Sequence, residues 1–197
     1  MDLIVEAVTL ASQLHSHQRK KKSIVPDIPY MGHLMEVAGI VEANGGDETT
    51  VAAALVHDAI EDQGPEAREQ IRQHLGQAVL EMVEACTESE TFPRPPWRER
   101  KLTYLGLIER ASLPVMLVIV ADKLQNSRAL LRRLKVEGAQ GWGHPGREEK
   151  LWYFHTLVDA LRRRLGQLET ETNAPILISL RILIEEYAEV VTALARY

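Results

Sequence analysis

Residues 52–65, AAALVHDAIEDQGP, place four ionisable side chains inside an apolar run with helical spacing. Side chains four residues apart lie on one face of a helix, so we expect His57 to stack over Glu61. Asp58 and Asp62 form a second such pair. Carboxylates crowded near the C-terminal end of a helix repel one another and the helix dipole, and a bound cation would turn that repulsion into attraction. The stretch predicts a buried helix with a metal site; the alternative is a solvated acidic helix end with an internally bonded histidine.

Asp122 follows an apolar run in a second informative stretch, VMLVIVADKLQNSR, residues 115–128. A carboxylate in that position is costly to bury unless it is paired or coordinates a cation. Pairing with Lys123 or Arg128 is the alternative to a metal site. Asn126 lies one helical turn further along and shares the face of Asp122.

His33 opens a third stretch, PYMGHLMEVAGIV, residues 29–41, which has the spacing of an amphipathic helix after a Pro-Tyr turn. Its imidazole can therefore point back over the start of the helix. A lone histidine in such a place is more often structural than a ligand. His33 becomes a candidate ligand only in combination with the two acidic stretches.

The remaining segments also have a helical period, and almost none alternates as a strand would. Gly and Pro residues, as in NGG and QGP, separate the segments. The sequence predicts one all-α domain over residues 1–197, with a metal-site core at about 11–134 and C-terminal helices at about 147–197. The predicted helices cover about 2–18, 32–43, 47–62, 65–74, 76–89, 97–111, 113–134 and 147–171, and a last helix begins near residue 174.

The composition excludes several classes of protein. The 28 acidic and 23 basic residues give a net charge of −5, which argues against a general nucleic-acid binder. We find no signal peptide and no apolar run of the roughly 18 residues that a membrane span needs. The single cysteine, Cys86, cannot form an internal disulfide and is read as a small buried side chain. We therefore expect a cytoplasmic protein without nucleic-acid or membrane partners.

The three stretches together resemble a known family. His33, His57, Asp58 and Asp122 resemble the metal signature of the HD-domain phosphohydrolase superfamily. PYMGHLMEVAGIV, AAALVHDAIED and VADKLQNSR resemble three consecutive motifs of the hydrolase domain in RelA/SpoT-type alarmone enzymes. A chain of this length with only that domain resembles the stand-alone small alarmone hydrolases. The resemblance implies an HD-type helical bundle and covers about residues 11–134, with a weaker match around Tyr153.

The resemblance also implies a reaction. The four signature residues would hold one divalent metal, typically manganese. Glu61 and Asp62 match the catalytic acidic pair that positions and activates the attacking water. The family removes pyrophosphate from the 3′ position of guanosine tetra- or pentaphosphate (ppGpp or pppGpp) and leaves GDP or GTP. Mixed imidazole and carboxylate ligands suit Mn, Fe or Zn better than Ca or Mg, and room for water and substrate favours Mn.

Substrate contacts are expected from basic and aromatic side chains. In the family a basic pair before the first ligand helix holds the base and phosphates, and here RKKK, residues 19–22, offers four candidates. The WRERK segment, residues 97–101, resembles a helix that reaches the phosphates. Each basic cluster could also be a solvated helix face, and the aromatic candidate could be plain core. The predicted contacts are Arg19, Lys20, Lys21, Arg100, Lys101, Asn126 and Tyr153.

Two departures from the family pattern leave the base open. Leu34 stands where the family usually has proline, and a Lys-rich insertion precedes the PY turn. An adenine alarmone, a deoxynucleotide or a phosphomonoester is therefore an alternative substrate, and a catalytically silent nucleotide-binding module is a third interpretation. The intact acidic pair favours the alarmone hydrolase. The chain lacks a synthetase half, which predicts a dedicated degrading enzyme, and its apolar last helix leaves a homo-oligomer open.

Overall fold

The computed structural model describes residues 2–21, 24–89 and 93–197. Within these ranges the chain forms ten α-helices and one 3₁₀ helix and contains no β-strand, so the predicted all-α class is confirmed. The α-helices are α1 (Leu3–Leu14), α2 (Met31–Ala43), α3 (Glu48–Val56), α4 (Ala59–Gln63), α5 (Pro65–Leu75), α6 (Gln77–Cys86), α7 (Trp97–Ile108), α8 (Leu113–Glu137), α9 (Arg147–Glu171) and α10 (Ile176–Leu194), and the 3₁₀ helix is Gly138–Trp142.

Aspartate side chains cap the N-terminal ends of helices α1 and α3. The Asp2 carboxylate accepts a hydrogen bond from the Ile4 N–H at 2.9 Å, and the Asp47 carboxylate accepts one from the Thr50 N–H at 2.8 Å. Each bond satisfies a backbone donor that the first helical turn leaves unpaired. At the other end of α2, Gly45 has a φ of 87°, the left-handed conformation that the NGG sequence predicts.

Helix α8 forms the centre of the bundle. Its apolar run VMLVIV is a fully buried helical segment, as predicted, and α8 packs against α2, α3, α6 and α10. Helix α3 presents mostly alanine and valine, which let α1, α2 and α6 approach closely. Burial of a Val, Leu or Ile side chain stabilises the fold by about 1.5–3 kcal/mol. The polar stretches are thus attached to the most tightly packed helices.

The predicted continuous helix over residues 47–62 is wrong, because the helix breaks at His57 and Asp58 to give α3 and α4. The His57 Nδ1 donates to the Ala54 carbonyl at 2.8 Å, and this carbonyl is the one that a continuous helix would offer to the Asp58 N–H. Glu61 and Asp62 consequently lie in the first turn of α4 and not at the C-terminal end of a long helix. Because α4 has only five residues, the carboxylates meet the dipole of a single turn and not that of the long helix that we expected.

Residues 15–30, here called the connector, link α1 to α2. Helix α1 ends at Leu14, earlier than predicted, and turns follow it. The connector doubles back on itself through two backbone hydrogen bonds, from Lys20 N–H to Ile28 O at 2.9 Å and from Tyr30 N–H to Gln18 O at 3.1 Å. This fold-back places residues 18–20 near the start of α2 and near α4.

Helix α10 closes the bundle by packing against α8 and α9. One face of α10 is buried, while Ile178 and Ile182 on the other face are 68% and 54% exposed. Among the helices in the described ranges, none combines the length and the apolar character needed to cross a bilayer. The extent of the single domain, 1–197, and a homo-oligomer stay predictions.

Candidate active site

The structure brings together the four residues predicted as metal ligands, here called the metal cluster. His33 comes from the first turn of α2, His57 and Asp58 from the break between α3 and α4, and Asp122 from the middle of α8. One ligand-type atom from each of His33, His57 and Asp58 lies within 4.8 Å of the others. The Asp122 Oδ1 lies 3.3 Å from His33 Nε2 and 3.5 Å from His57 Nε2.

The two imidazoles present unpaired nitrogens to the carboxylates. The Nε2 atoms of His33 and His57 lie 3.4 and 3.2 Å from Asp58 Oδ2. Both Nε2 atoms are buried, and neither has a hydrogen-bond partner among the residues described. In a neutral imidazole each Nε2 is an acceptor that faces only acceptor oxygens, and either a proton on the ring or a shared cation would relieve that unfavourable arrangement. The nitrogen and oxygen donors together could hold a metal ion.

The pKa shifts within the metal cluster indicate that the site favours positive charge. Burial alone would lower the pKa of His57, but Asp58 and Asp122 raise it well above the ordinary value. Burial alone would raise the pKa of Asp122, but Lys123 and the two imidazoles hold it well below the ordinary range. The carboxylates therefore stay ionised and attract either protons on the imidazoles or a metal cation between them.

Hydrogen bonds on the far side of each imidazole fix its orientation. Nδ1 of His57 donates to a backbone carbonyl, as described above, and Nδ1 of His33 donates to Gln125 Oε1 at 2.7 Å. Gln125 also accepts from Lys20 Nζ at 3.0 Å and donates to Glu36 Oε2 at 2.7 Å. Because both Nδ1 atoms act as donors, both Nε2 atoms point at the carboxylates, and a cation that replaced their protons would find the two nitrogens oriented as ligands.

The carboxylates of the metal cluster are held in the same way. The Tyr30 hydroxyl donates to Asp58 Oδ2. Lys123 Nζ donates to Asp122 Oδ2 at 2.6 Å, and Asn126 Nδ2 donates to Asp122 Oδ1 at 2.5 Å. The pairing of Asp122 with Lys123, raised above as an alternative to metal binding, thus coexists with an Oδ1 that faces both imidazoles. Asn126, a predicted nucleotide contact, lies in the site with its amide on Asp122.

Glu61 and Asp62, the acidic pair, lie beside the metal cluster and are held by two other segments. Arg94 Nη1 lies 3.1 Å from Glu61 Oε1, and its Nη2 donates to the Glu61 carbonyl at 3.0 Å and lies 3.7 Å from Asp62 Oδ1. Gln18 Nε2 donates to Asp62 Oδ2 at 2.7 Å. Burial and the charge of Asp58 raise the pKa of Glu61, and Arg94 opposes that rise. The arrangement gives one carboxylate of raised basicity close to the metal cluster.

Comparison with protein families decides the identity of the fold. A family model described as an HD domain matches residues 7–141. The chain belongs to the HD-domain family.

Relatives of this HD-domain protein cover most of its length. It is 35% identical over 169 residues to guanosine-3′,5′-bis(diphosphate) 3′-pyrophosphohydrolase MESH1 of Xenopus tropicalis, covering 85% of this chain and 89% of that protein. It is 30% identical to the protein of the same name from Drosophila melanogaster, covering 84% and 88%. A solved structure described as a metazoan ortholog of SpoT that hydrolyses ppGpp superimposes with a TM-score of 0.69 at 28% identity, covering 94% and 96%. The resemblance to small alarmone hydrolases is confirmed.

The predicted basic contacts of the HD domain differ in their placement. Lys20 bonds to Gln125 beside the metal cluster. Arg19 is exposed, and its guanidinium donates to the carbonyls of Ser16 and Gln18 at 3.3 and 3.1 Å. A cavity of about 360 Å³ beside the acidic pair is lined by Lys21, among other residues. Lys22, the fourth basic candidate, lies outside the described residues.

The predicted contacts on α7 and α9 belong to a partly buried network. Arg100 and Lys101 both form ion pairs with Glu88. Lys101 Nζ lies 4.9 Å from the centre of the Tyr153 ring. Tyr153 is buried, and its hydroxyl has no hydrogen-bond partner in the part of the chain that is described. Direct contact of these side chains with a nucleotide stays a prediction.

Four polar residues of this HD-domain site were not predicted from the sequence, whereas Lys123 was named there as a possible partner of Asp122. Tyr30 and Gln125 lie within the quoted motifs, so their nearness to predicted ligands was a usable signal. Gln18 adjoins the predicted basic cluster. Arg94 comes from the segment between α6 and α7, and no local pattern marks it, because its role depends on a contact with residues 33 positions away.

Proposed function

We propose that this protein is a metal-dependent hydrolase that removes the 3′-pyrophosphate of guanosine tetra- or pentaphosphate and releases GDP or GTP and pyrophosphate. One observation carries the proposal: two buried, unpaired Nε2 atoms and two ionised carboxylates converge beside an acidic pair. The MESH1 relatives, similar over most of the chain, carry the name of this reaction. The curated relatives and the solved neighbour support the reaction predicted from the sequence.

The metal cluster is the proposed cofactor site. His33, His57, Asp58 and Asp122 would hold one divalent cation, and we propose Mn²⁺, with Fe or Zn as alternatives that the same donors accept. A bound cation of this kind supplies Lewis-acid polarisation of a phosphate oxygen and a water of lowered pKa. The bonds from Gln125, Tyr30 and Lys123 keep the donors oriented for it.

The acidic pair performs the proton chemistry in this proposal. Glu61 accepts the proton of the attacking water, and its raised pKa makes the ionised carboxylate a stronger base than an ordinary glutamate. Asp62 orients that water, and Gln18 holds the Asp62 carboxylate in place. Arg94 keeps Glu61 and Asp62 together.

The basic connector supplies the positive charge that a nucleotide with two pyrophosphate groups requires. Lys20 lies beside the metal cluster, Lys21 lines a cavity together with Asp62, and Arg19 is exposed on the same segment. We propose that these three side chains contact the substrate, with Asn126 near its sugar or phosphates. Arg100, Lys101 and Tyr153 would take part if substrate displaces the pairing with Glu88.

The test is hydrolysis of guanosine tetraphosphate by the chelator-treated protein, with and without added Mn²⁺. Ion-exchange chromatography follows GDP and pyrophosphate. We expect equal amounts of both products, formed only with metal. A protein that binds Mn²⁺ tightly and forms neither product would overturn the proposed reaction. Product formation that resists exhaustive chelation would overturn the metal requirement.

We also propose that the protein acts in the cytoplasm on this small-molecule partner. Burial raises the pKa of the lone thiol, Cys86, to about 12, so this thiol stays protonated and unreactive. Formation of a homo-oligomer through the exposed face of α10 stays a prediction. Measurement of the molecular mass in solution tests it.

A further inference from the structure

A cavity of about 340 Å³ opens beside the metal cluster, between the connector and helices α2 and α8. Its size lies at the lower end of the roughly 300–1,000 Å³ typical of small-ligand sites. Ile24, Val25 and Ile28 of the connector form an apolar wall, and Ala129 of α8 also lines the cavity. His33 lines the cavity as well, so the cavity adjoins the proposed reaction centre. Apolar walls of this kind suit a flat aromatic ring.

Glu36 supplies a fixed carboxylate to this cavity. Glu36 Oε2 accepts from Gln125 Nε2 at 2.7 Å, and Gln125 is only 2% exposed, so the bond holds the carboxylate in one orientation. Among the described residues, Glu36 Oε1 has no hydrogen-bond partner, and the residue is exposed at the cavity. A carboxylate repels phosphate groups, which argues that the part of the cavity near Glu36 receives an uncharged part of the ligand.

Two cations complete the polar lining. Lys20 and Arg132 both line the cavity, and Lys20 is held by the same Gln125 that holds Glu36. The cavity thus presents acceptor oxygens from Glu36 and donor groups from Lys20 and Arg132 within one apolar frame. A ligand ring that fits it must offer hydrogen-bond donors on one side and acceptors on another.

We propose that Glu36 selects guanine over adenine, with the purine base of the nucleotide held in this cavity as the connector of the family leads us to expect. The inference rests on the proposed function, and it names the base that the sequence left open. Guanine carries adjacent N1–H and 2-amino donors, which Glu36 can accept with its free Oε1 and with the second lone pair of Oε2, and O6 and N7 acceptors for a lysine or arginine. Adenine has an acceptor at N1 and no 2-amino group. Its N1 lone pair would face the Glu36 oxygens and be repelled.

The experiment compares kcat/KM for guanosine and adenosine 3′,5′-bis(diphosphate) in the natural protein, Glu36→Gln and Glu42→Gln. A bidentate base contact of this kind contributes about 10- to 100-fold discrimination. We expect the natural protein and Glu42→Gln, a matched change on the exposed face of α2, to prefer guanine by that factor. Glu36→Gln retains an oxygen for Gln125, so its kcat for both substrates should change little while KM for the guanine substrate rises. The preference for guanine should disappear.

Two results would overturn the inference. One is a guanine-to-adenine ratio in Glu36→Gln equal to that of the natural protein. The other is an equal loss on both substrates, which would indicate that Glu36 only supports Gln125. Thermal unfolding of the three proteins shows whether any loss comes from folding.

Binding of GDP and ADP, measured by calorimetry, separates this inference from the proposed reaction. If the natural protein hydrolyses neither alarmone, the proposed function fails while base selection is still tested. Tighter binding of GDP than ADP that Glu36→Gln abolishes would support the inference under that outcome. Equal binding of the two diphosphates by the natural protein would overturn it.

Discussion

The metal cluster and the acidic pair lie side by side, yet different parts of the chain hold them. The His33, His57 and Asp122 side chains are 1%, 4% and 7% exposed and are attached to the packed helices α2, α3 and α8. Asp58, at the break between α3 and α4, is 21% exposed and is held by Tyr30 of the connector. The Glu61 and Asp62 side chains are 21% and 23% exposed and are anchored by Gln18 of the connector and by Arg94. The core therefore sets the position of three of the four cluster residues, whereas connecting segments set the position of the pair.

This difference teaches how binding and turnover are separated in one small site. Metal ligands need closely fixed distances, and packed helices provide them because interiors are close-packed. Groups that move protons and meet substrate must be reachable, so they lie nearer the surface on a short helix. Changes in the cluster should abolish metal binding, and changes in the pair should leave metal in place.

Asp58→Ala should have the largest effect. It removes one of two carboxylates between the imidazoles, so the protein should lose bound Mn²⁺ and fall to the activity of the metal-free form. Elemental analysis after gel filtration measures the metal content. A variant that retains one equivalent of metal would show that Asp58 is not a ligand.

Glu61→Gln should have the next largest effect and the opposite pattern. The variant keeps the size of the side chain and leaves the metal cluster intact, so metal content should equal that of the natural protein. Loss of the general base should lower kcat by about 10²–10⁴-fold. Full activity would show that Glu61 is not the general base. Loss of metal would contradict the claim that the acidic pair does not contribute to metal binding.

Arg94→Gln should have the smallest effect. It tests how the acidic pair is held, because it should change the pH dependence of kcat/KM. Glu61 acts as a base only when ionised, so activity rises as pH passes upward through its pKa. Because Arg94 lowers that pKa, its removal should raise the pKa further and move the acid limb of kcat/KM to higher pH. Each unit by which the pKa rises lowers the ionised fraction of Glu61 up to tenfold at pH values below that pKa, so we expect at most about a tenfold fall in activity at neutral pH.

The control for Arg94→Gln is Arg181→Gln, which removes a surface arginine paired with Glu169 on another part of the bundle. Its pH profile should match that of the natural protein. An acid limb that stays in place in Arg94→Gln, or moves to lower pH, would contradict the contact between Arg94 and Glu61. Both variants should bind as much metal as the natural protein, because neither arginine contacts the metal cluster.

Much of the fold and of the site was predictable from local patterns. The helical period and the Gly and Pro punctuation predicted the helices, because backbone hydrogen bonds within a helix join residues only four apart. The metal ligands were predictable because each lies in a short motif where a polar group interrupts apolar spacing. The break at His57 and Asp58 was not, since a side-chain bond to one carbonyl decides it.

The sequence by itself determined the helical class and the residue types that can bind a cation and move a proton, since periodicity and side-chain chemistry are local properties. Only the tertiary structure decided which other side chains hold these residues in place. The bond from Gln18 to Asp62 spans 44 residues, and that between His33 and Gln125 spans 92. Such bonds require atoms within about 3 Å of each other, a distance that helix packing and not sequence spacing determines. The same packing pairs Arg100 and Lys101 with Glu88 and places Glu36 in the cavity proposed for the base.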